Sequence, residues 1–513
     1  MSDGPAYEAL VDEVEHAGTV GGVVDGERAV MGGGVGNGVA DSETRRLHEL
    51  DRYHLWHPLT QHQAFQEGAR PLIMSGGSGS VVWDVEGNEY LDAAAGLWCV
   101  NVGYGRQELV EAATRQMSQL AYYPLTQSHP MAIQLSEKLS SLLPHVPHIY
   151  YSNSGSEANE LAFKVIRQYW AQRGMPGKVK ILSRHRGYHG ATLGALSATG
   201  QPSRKRGYEP TAPGFVQVSA PYCYRCPFAM SYPSCAMQCA SDFERRIQIE
   251  DPDTVAAIIV EPVIAGGGVL VPPDDYLRAV SGMAKQHNVK LIVDEVVTGF
   301  GRTGSLFAHM GYGVVPDVVT MAKGLASGYM PIGATAFSEE IFSAFMGPPD
   351  SGRHLRHVNT YSGHPVATAV ALANIRLIEE EHLVERSRTM GATLLAKLRA
   401  ALGDVPWVGD VRGLGLLVGI ELVQAGAAGA AGTGGAGAAG APVPDSFMRA
   451  ISKYLIAHGI IGGKTTDVEP NHNNILMFAP PLVITEDQVD QLVRTVRAAI
   501  VEVGSTQKPH SST

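Results

Sequence analysis

Two apolar segments, each followed by one ionisable residue, constrain the fold of this 513-residue chain most strongly. Residues 291–293 are Leu-Ile-Val and precede Asp294, and residues 318–322 are Val-Val-Thr-Met-Ala and precede Lys323. Short apolar runs of this kind predict buried strands. In open α/β sheets, functional residues gather at the carboxyl ends of such strands. We therefore expect Asp294 and Lys323 to belong to one site of an α/β protein.

Lys323 and Asp294 together suggest a particular chemistry. A lysine held in an apolar site can lose its proton and form a Schiff base with a carbonyl compound. A pyridoxal phosphate enzyme needs such a lysine, and it needs a carboxylate that keeps the pyridine nitrogen protonated. Taken alone, an aspartate and a lysine more often form an ordinary buried ion pair, or the lysine lies at the surface. The rest of the chain has to decide between these interpretations.

The residues around both side chains resemble a known signature. Residues 294–304 read DEVVTGFGRTG, and residues 322–333 read AKGLASGYMPIG. Both segments are similar to the signature of class III pyridoxal-phosphate aminotransferases, and the resemblance runs from about His54 to about Val503. Within that class, the chain most resembles the omega-amino acid:pyruvate branch, in particular the taurine–pyruvate aminotransferases.

The resemblance implies the pyridoxal-phosphate transferase fold type I, an α/β fold. This fold has a large domain with a mostly parallel, seven-stranded-type sheet and a smaller α+β domain. Strand and helix patterns that alternate along the middle of the chain agree with a helix-covered, largely parallel sheet. The expected parts are a disordered arm (1–41), an N-terminal segment joining the small domain (42–94), a large cofactor-binding domain (95–365), a C-terminal small domain (366–503) with a flexible Ala/Gly insertion (424–442), and a tail (504–513).

Local patterns also predict individual elements. A hairpin is expected over residues 81–92, with Gly87 and Asn88 in its turn. Helices are expected from about Asp41, after Ser154, and over residues 275–286, 366–401 and 486–503. The predicted strands are 179–183, 257–261, 291–296, 318–321, 333–337 and 416–423.

The family motifs assign the cofactor site residue by residue. By resemblance, Lys323 is the Schiff-base lysine and Asp294 is the partner of the pyridine nitrogen. Gly155 and Ser156 resemble the phosphate-binding pair. They follow a predicted strand and open a predicted helix, and the free N–H groups of a helix N-terminus suit an anion. The alternative for this segment is a simple helix cap by Ser154 or Ser156.

Five further residues complete the implied cofactor site. Tyr188 and His189 belong to a Gly-Tyr-His-Gly motif whose aromatic ring covers one face of the cofactor, although Tyr188 could instead be a core aromatic. Val296 lies two residues beyond Asp294, so on the same side of the predicted strand, and would pack against the other face. Glu261 ends its strand where the family has a supporting carboxylate. Thr360 resembles the threonine that reaches the phosphate of the partner subunit, which implies a homodimer or a dimer of dimers.

Substrate recognition follows from other motifs. Arg412 resembles the family's carboxylate-binding arginine, and a planar guanidinium suits an α-keto acid. Its alternative is a surface arginine. Leu97 and Trp98 match the segment that lines the amine-donor pocket in the omega branch. Tyr188 belongs to the same pocket, and Trp56 is a further candidate.

The resemblance implies an aminotransferase with pyridoxal 5'-phosphate as its cofactor. It would move the amino group of an omega-amino donor (taurine, β-alanine or a simple amine) to pyruvate, giving alanine, by a ping-pong mechanism through pyridoxamine phosphate. Three alternatives remain open. They are another class III specificity with a diamine or other amino-acid donor, a fold-type-I aminomutase or decarboxylase, and a non-catalytic cofactor-binding protein.

Composition narrows the partners. The net charge of −10 argues against a nucleic-acid partner. No stretch is long and apolar enough to span a membrane, and the N-terminus lacks a basic segment followed by an apolar one, so we expect a cytoplasmic protein. Four cysteines form C-x2-C-x8-C-x3-C at residues 223, 226, 235 and 239. This cluster either binds a metal or is a loop with free thiols, and no metal ligand is assigned.

Overall fold

The computed structural model describes residues 37–425 and 439–506, with side chains from Ser42 onward. Most of the predicted arm, most of the Ala/Gly insertion and most of the tail therefore lie outside the described residues. The chain divides into two compact units, one ending at Ile73 and the other beginning at Met74. The predicted domain boundaries after residues 94 and 365 stay predictions.

Helices and strands alternate through the described ranges. The helices are α1 (Asn37–His54), α2 (Gln63–Gln66), α3 (Ala95–Trp98), α4 (Gln107–Gln119), α5 (Pro130–Leu142), α6 (Gly155–Gln172), α7 (Leu193–Ala198), α8 (Pro202–Lys205), α9 (Gln238–Glu250), α10 (Tyr276–Gln286), α11 (Ala308–Gly311), α12 (Glu339–Ser343), α13 (Pro365–Glu380), α14 (Leu383–Leu402), α15 (Asp445–Ala457) and α16 (Glu486–Ser505). The strands are β1 (Met74–Ser78), β2 (Val81–Asp84), β3 (Glu89–Asp92), β4 (His148–Ser152), β5 (Lys180–Arg184), β6 (Phe215–Val218), β7 (Val255–Val260), β8 (Lys290–Asp294), β9 (Val318–Met321), β10 (Gly333–Phe337), β11 (Val408–Gly413), β12 (Val418–Leu422), β13 (Ile460–Ile461), β14 (Gly463–Lys464) and β15 (Ile475–Phe478). Short 3₁₀ turns cover Pro252–Thr254 and Lys323–Leu325.

A seven-stranded sheet, in the order β4-β10-β9-β8-β7-β5-β6, forms the centre of the second unit. Strands β6, β5, β7, β8 and β9 are paired in parallel, and β10 is antiparallel to both β9 and β4. The sheet is therefore mostly parallel, as predicted, with one reversed strand. All residues of β7 to β10 are buried, which agrees with their continuous apolar sequences. Helix α6 packs against β9 and β10.

Two smaller four-stranded sheets complete the second unit. One has the order β1-β2-β3-β13, and the other has the order β11-β12-β15-β14. Because β13 pairs in parallel with β3, residues 89–92 are tied to the C-terminal part of the chain. No helix in residues 37–425 and 439–506 is long and apolar enough to cross a membrane.

Several predicted elements need correction at their ends. Helix α1 begins at Asn37, four residues before the predicted start. The helical tract predicted over residues 366–401 is two helices, because His382 has a left-handed φ of 51° and breaks the tract. The strand predicted over 416–423 is the shorter β12, and the preceding β11 was not predicted. The hairpin is confirmed, with β2 antiparallel to β3.

Candidate active site

A cavity of about 400 Å³ lies at the carboxyl ends of the central strands. Its lining residues follow five of these strands, as expected for an open α/β sheet. They include Ser154 to Ser156 after β4, Tyr188 to Gly190 after β5, Glu261 after β7, Asp294, Val296 and Val297 at the end of β8, and Ala322 and Lys323 after β9. The structure therefore brings the two ionisable residues of the strand ends into one cavity.

Asp294 is 3% exposed and accepts three hydrogen bonds. Its Oδ2 lies 2.8 Å from Nδ1 of His189 and 2.8 Å from Nδ2 of Asn159, and its Oδ1 accepts from the backbone N–H of Val296 at 3.0 Å. Three donors on one buried carboxyl group satisfy its oxygens and fix its orientation. Asn159 also donates to the carbonyl of His189 at 2.7 Å, so the two neighbours of Asp294 hold each other in place.

Lys323 lies in a strained turn directly after β9, with a φ of 45°. Its Nζ lies 5.6 Å from the ring centre of Trp98. Asn374, which is fully buried in α13, donates to the carbonyls of Gly324 at 2.8 Å and Leu325 at 3.0 Å. These bonds fix the turn after the lysine. A non-glycine residue rarely adopts positive φ, and such strain is concentrated at functional sites.

The start of α6 forms another part of the cavity wall. Ser154 is the helix cap, since its side chain accepts from the N–H of Glu157 at 3.2 Å. The N–H groups of Gly155 and Ser156 lie in the first turn, where no intrahelical acceptor exists. A Cβ atom on Gly155 would lie 2.8 Å from Cγ1 of Val296, so the close packing requires glycine there. The cap and the anion-binding interpretation of this segment are therefore compatible.

Glu261 and Tyr188 connect two of the loops. The Glu261 carboxylate accepts from the N–H of Tyr188 at 3.0 Å and from that of Ala265 at 3.1 Å. Burial raises the pKa of Glu261. The guanidinium of Arg204 lies 5.3 Å from the ring centre of Tyr188, a cation–π distance. Val296 does line the cavity, but β8 ends at Asp294, so the turn and not strand alternation places it there.

The predicted substrate residues are placed differently. Trp98 approaches Lys323, while Leu97 is 69% exposed and does not line the cavity. Arg412 also does not line the cavity. It is not a surface arginine either, because its guanidinium donates hydrogen bonds to Asp410, Glu421 and the carbonyl of Gly268. Thr360 is exposed and lies outside the cavity of its own chain. Trp56 is 87% exposed in the first compact unit.

Sequence reasoning missed three parts of the cavity wall. Asn159 was missed although a polar residue one turn after Gly155, beside an apolar helix stripe, is a usable signal. Cys99 also lines the cavity, although no motif pointed to it, and burial raises the pKa of its thiol. Residues 330–332 belong to one of the signature segments and line the cavity, yet the sequence indicated no role for them.

The four clustered cysteines surround a separate, small cavity of about 20 Å³. Burial and the neighbouring thiols raise the pKa of Cys239 to about 12. Among the residues that the structure describes, no three His, Cys, Asp or Glu side chains are arranged to hold a metal ion.

The large cavity fits pyridoxal 5'-phosphate by the chemistry of its donors. Lys323 supplies an amine, Asp294 a buried carboxylate for a ring nitrogen, and the start of α6 supplies N–H groups for a phosphate. Two buried polar atoms of lining residues, Oδ1 of Asn159 and Nε2 of His189, have no hydrogen-bond partner among the described residues. The cavity volume lies within the range of about 300–1,000 Å³ that is common for small-molecule sites. These features define a pyridoxal-phosphate-dependent transferase of fold type I.

Comparison with known proteins gives the family. The profile of the family Aminotransferase class-III matches residues 63–500, and the chain belongs to this family. An uncharacterized aminotransferase, YhxA, of Bacillus subtilis is 45% identical over 89% of this chain and 96% of its own length. The taurine–pyruvate aminotransferase of Bilophila wadsworthia is 40% identical over 88% of this chain and 96% of its own length. The omega-transaminase of Pseudomonas jessenii, solved in complex with PMP, superimposes with a TM-score of 0.83 at 35% identity and covers 90% of this chain and 98% of its own.

Family and site agree on the type of enzyme. Class III aminotransferases depend on pyridoxal phosphate, and the protein is a pyridoxal-phosphate-dependent transaminase. The alternatives of an aminomutase, a decarboxylase and a non-catalytic binding protein are thereby set aside.

Proposed function

We propose that this transaminase moves the amino group of an omega-amino donor to pyruvate and releases alanine. The donor we favour is taurine, with β-alanine and simple amines as the next candidates. The observation that carries the proposal is the placement of the Lys323 amine in one cavity with the carboxylate of Asp294, beside the indole of Trp98. The 40% identity to a taurine–pyruvate aminotransferase supports the choice of donor and acceptor.

The cofactor would supply an electron-accepting ring that stabilises negative charge on the carbon next to the donor nitrogen. The residues of this chain supply its surroundings. Asp294, oriented by His189 and Asn159, presents a carboxylate to the ring nitrogen. Lys323, held by the turn that Asn374 fixes, carries the amine that removes and returns a proton.

The remaining lining residues hold the group in place. The N–H groups of Gly155 and Ser156 would bind its phosphate, and Tyr188 and Val296, which also line the cavity, would cover the two faces of its ring. Glu261 fixes the backbone of Tyr188 through a hydrogen bond and so supports one of these faces.

We propose that Arg412 binds the carboxylate of the keto acid. Its support is its position next to the turn of residues 265–269. A Cβ atom on Gly266 in that turn would lie 3.5 Å from Tyr188 and 3.7 Å from Trp98, and one on Gly268 would lie 3.5 Å from Nη2 of Arg412. One short turn therefore separates this guanidinium from the residues beside the cavity.

A homodimer is part of the proposal. Thr360 is exposed, its carbonyl accepts from the hydroxyl of Tyr122 at 2.6 Å, and exposed apolar side chains lie close to Tyr122 and Thr360 in the sequence. They are Tyr123 at 47%, Val358 at 72% and Tyr361 at 62% exposure. Such a patch is typical of a protein interface, and a second copy of the chain would cover it. A cytoplasmic location stays a prediction.

The test uses the visible absorption of the purified holoenzyme. We expect a band of the lysine-bound cofactor, which taurine removes in the absence of a keto acid and which pyruvate restores. The same titration with β-alanine, a simple amine and a diamine ranks the donors. The Lys323→Ala variant is the control, since it keeps the ring and phosphate contacts but lacks the amine. Turnover by this variant contradicts the role of Lys323, and a band that taurine leaves unchanged contradicts the choice of donor.

A further inference from the structure

The side chain of Arg412 is held by four partners. Its Nη1 donates to Oδ2 of Asp410 at 2.7 Å and to Oε2 of Glu421 at 2.9 Å. Its Nη2 donates to the carbonyl of Gly268 at 2.7 Å, and its Nε donates to the carbonyls of Gly268 at 3.1 Å and Val269 at 3.0 Å. These contacts use four of the five guanidinium N–H groups, so a keto-acid carboxylate can form the two parallel hydrogen bonds of a bidentate pair only by replacing at least one of these partners.

Glu421 is the most enclosed of these partners. It is 0% exposed and also accepts hydrogen bonds from Nε of Arg225 and from the hydroxyl of Tyr222. Burial alone would raise its pKa, but Arg412 and Arg225 hold the pKa of Glu421 below its usual value. It is therefore a carboxylate near neutral pH and neutralises part of the charge of Arg412.

Tyr222 packs against this ion pair. Its ring centre lies 5.2 Å from Cζ of Arg412 and 5.1 Å from Cζ of Arg186. The ring and the hydroxyl therefore hold Arg412 and Glu421, respectively. Tyr222 and Arg225 flank Cys223, so the cysteine-bearing segment (residues 222–239) contacts Arg412 through the Tyr222 ring and Glu421 through Tyr222 and Arg225.

The charges around Arg412 are balanced. Arg412 and Arg225 carry two positive charges, and Glu421 and Asp410 carry two negative charges, so the group is balanced without a substrate. An incoming anion meets a guanidinium that is already neutralised, and it has to compete with two carboxylates for it.

We infer that Glu421 and Asp410 determine acceptor specificity by competing with the keto-acid carboxylate for Arg412. This inference rests on the proposed role of Arg412. The two acids set how strongly the enzyme favours acceptors that carry a carboxylate over acceptors that do not. They touch neither the substrate nor the cofactor, so they act as positioning residues of Arg412.

The test compares two acceptors in the wild type and in Glu421→Gln and Asp410→Asn. The acceptors are pyruvate and propanal, which lacks the carboxylate, and the donor is the best one from the titrations above. We expect each substitution to raise the ratio of kcat/KM for pyruvate to that for propanal about tenfold, mainly through KM. Calorimetric binding of propionate, an unreactive carboxylate, to each holoenzyme should tighten by a similar factor.

Asp410→Asn guards against a folding defect. Glu421 also pairs with Arg225 and is 0% exposed, whereas the Asp410 carboxylate bonds to Arg412 and is 19% exposed, so its loss disturbs less. Tyr222→Phe keeps the ring beneath the guanidinium but removes the hydroxyl from Glu421. The Glu421 carboxylate then has one donor fewer and binds Arg412 more strongly, so the ratio of kcat/KM for pyruvate to that for propanal should fall.

Arg412→Gln separates the two proposals. If it lowers the pyruvate-to-propanal ratio while Glu421→Gln and Asp410→Asn leave that ratio and propionate binding unchanged, this inference is overturned and the acceptor role of Arg412 stands. If Arg412→Gln leaves the ratio unchanged, the acceptor role and this inference fall together. A purely structural role of Glu421 would lower stability and kcat for both acceptors alike.

Discussion

Replacing Asn159 by leucine tests how the cavity holds the carboxylate of Asp294. The two side chains have similar size, but Asn159→Leu removes the amide that donates to Asp294 at 2.8 Å and to the carbonyl of His189 at 2.7 Å. Asp294 keeps its bonds to the His189 ring and to the Val296 N–H, so it loses one of three donors.

The magnitude follows from these two bonds. A hydrogen bond to a charged group contributes about 1.5–3 kcal/mol, so the Asp294 carboxylate loses an interaction of roughly that size. If this charge supports deprotonation of the donor, the amine half-reaction slows about 10- to 100-fold, since each 1.36 kcal/mol is about a factor of ten. The unpaired carbonyl of His189 lowers the free energy of unfolding by a further 1–3 kcal/mol or so.

The assay is a stopped-flow measurement of the half-reaction with the donor alone, followed at the visible band, together with denaturant unfolding. Asn474→Leu is the matched control. Asn474 is 1% exposed and donates to the carbonyl of Leu422 at 2.6 Å, and within the described parts of the chain no carboxylate accepts from it. We expect the control to lose stability with little change in the half-reaction. If Asn159→Leu loses only stability, to the same extent as the control, Asn159 does not act through Asp294 and the reasoning is refuted.

Two further predictions concern the subunit interface and pH. Thr360→Ala should weaken cofactor binding, and a mixed dimer of Thr360→Ala with Lys323→Ala should regain one site with wild-type cofactor affinity; a mixed dimer without such a site would place Thr360 in its own subunit. Burial, with His309 nearby, lowers the pKa of His145 from 6.5 to about 4. As the pH falls from about 6.5 to 4, the unfolded chain therefore binds a proton at His145 while the native chain does not. The free energy of unfolding decreases over that pH range. Because the His145 ring is partly exposed, we expect this decrease in the free energy of unfolding to be about 1–2 kcal/mol. The His145→Phe variant should lack this part of the pH dependence of the denaturation midpoint. If the midpoints of both proteins change with pH in parallel, the prediction is wrong.

The sequence predicted the cofactor side of the site because its residues lie in short, local motifs at strand ends. Lys323 and Asp294 each follow an apolar run, and Gly155 opens a helix after β4, so the strand ends indicated one edge of the sheet, while the family resemblance supplied the roles of these residues. The antiparallel direction of β10 was not predictable in the same way, since a fully buried strand has the same apolar pattern in either direction.

Long-range partners explain the remaining errors. Asn159 and Asp294 are 135 residues apart, and Arg412 and Gly268 are 144 apart, so no local spacing relates them. The position of Arg412 outside the cavity depends on Asp410, on Glu421 and on the turn at Gly268. Sequence motifs identified the arginine, whereas its surroundings follow only from the packing of β11 and β12 against that turn.

The two charged groups that matter most are held by elements of different kinds. Asp294 lies at the end of a buried strand, and its partners come from α6 and from the turn after β5, which pack on the central sheet. Arg412 lies on β11, in the sheet β11-β12-β15-β14. Its partners include Gly268 and Val269 in the turn of residues 265–269, and Glu421, which the cysteine-bearing segment also contacts. A change near Asp294 therefore disturbs the core and the chemistry together. None of Tyr222, Arg225, Asp410 and Glu421 lines the cofactor cavity, so a change at these polar side chains can alter acceptor preference while the lining of the cofactor site stays the same.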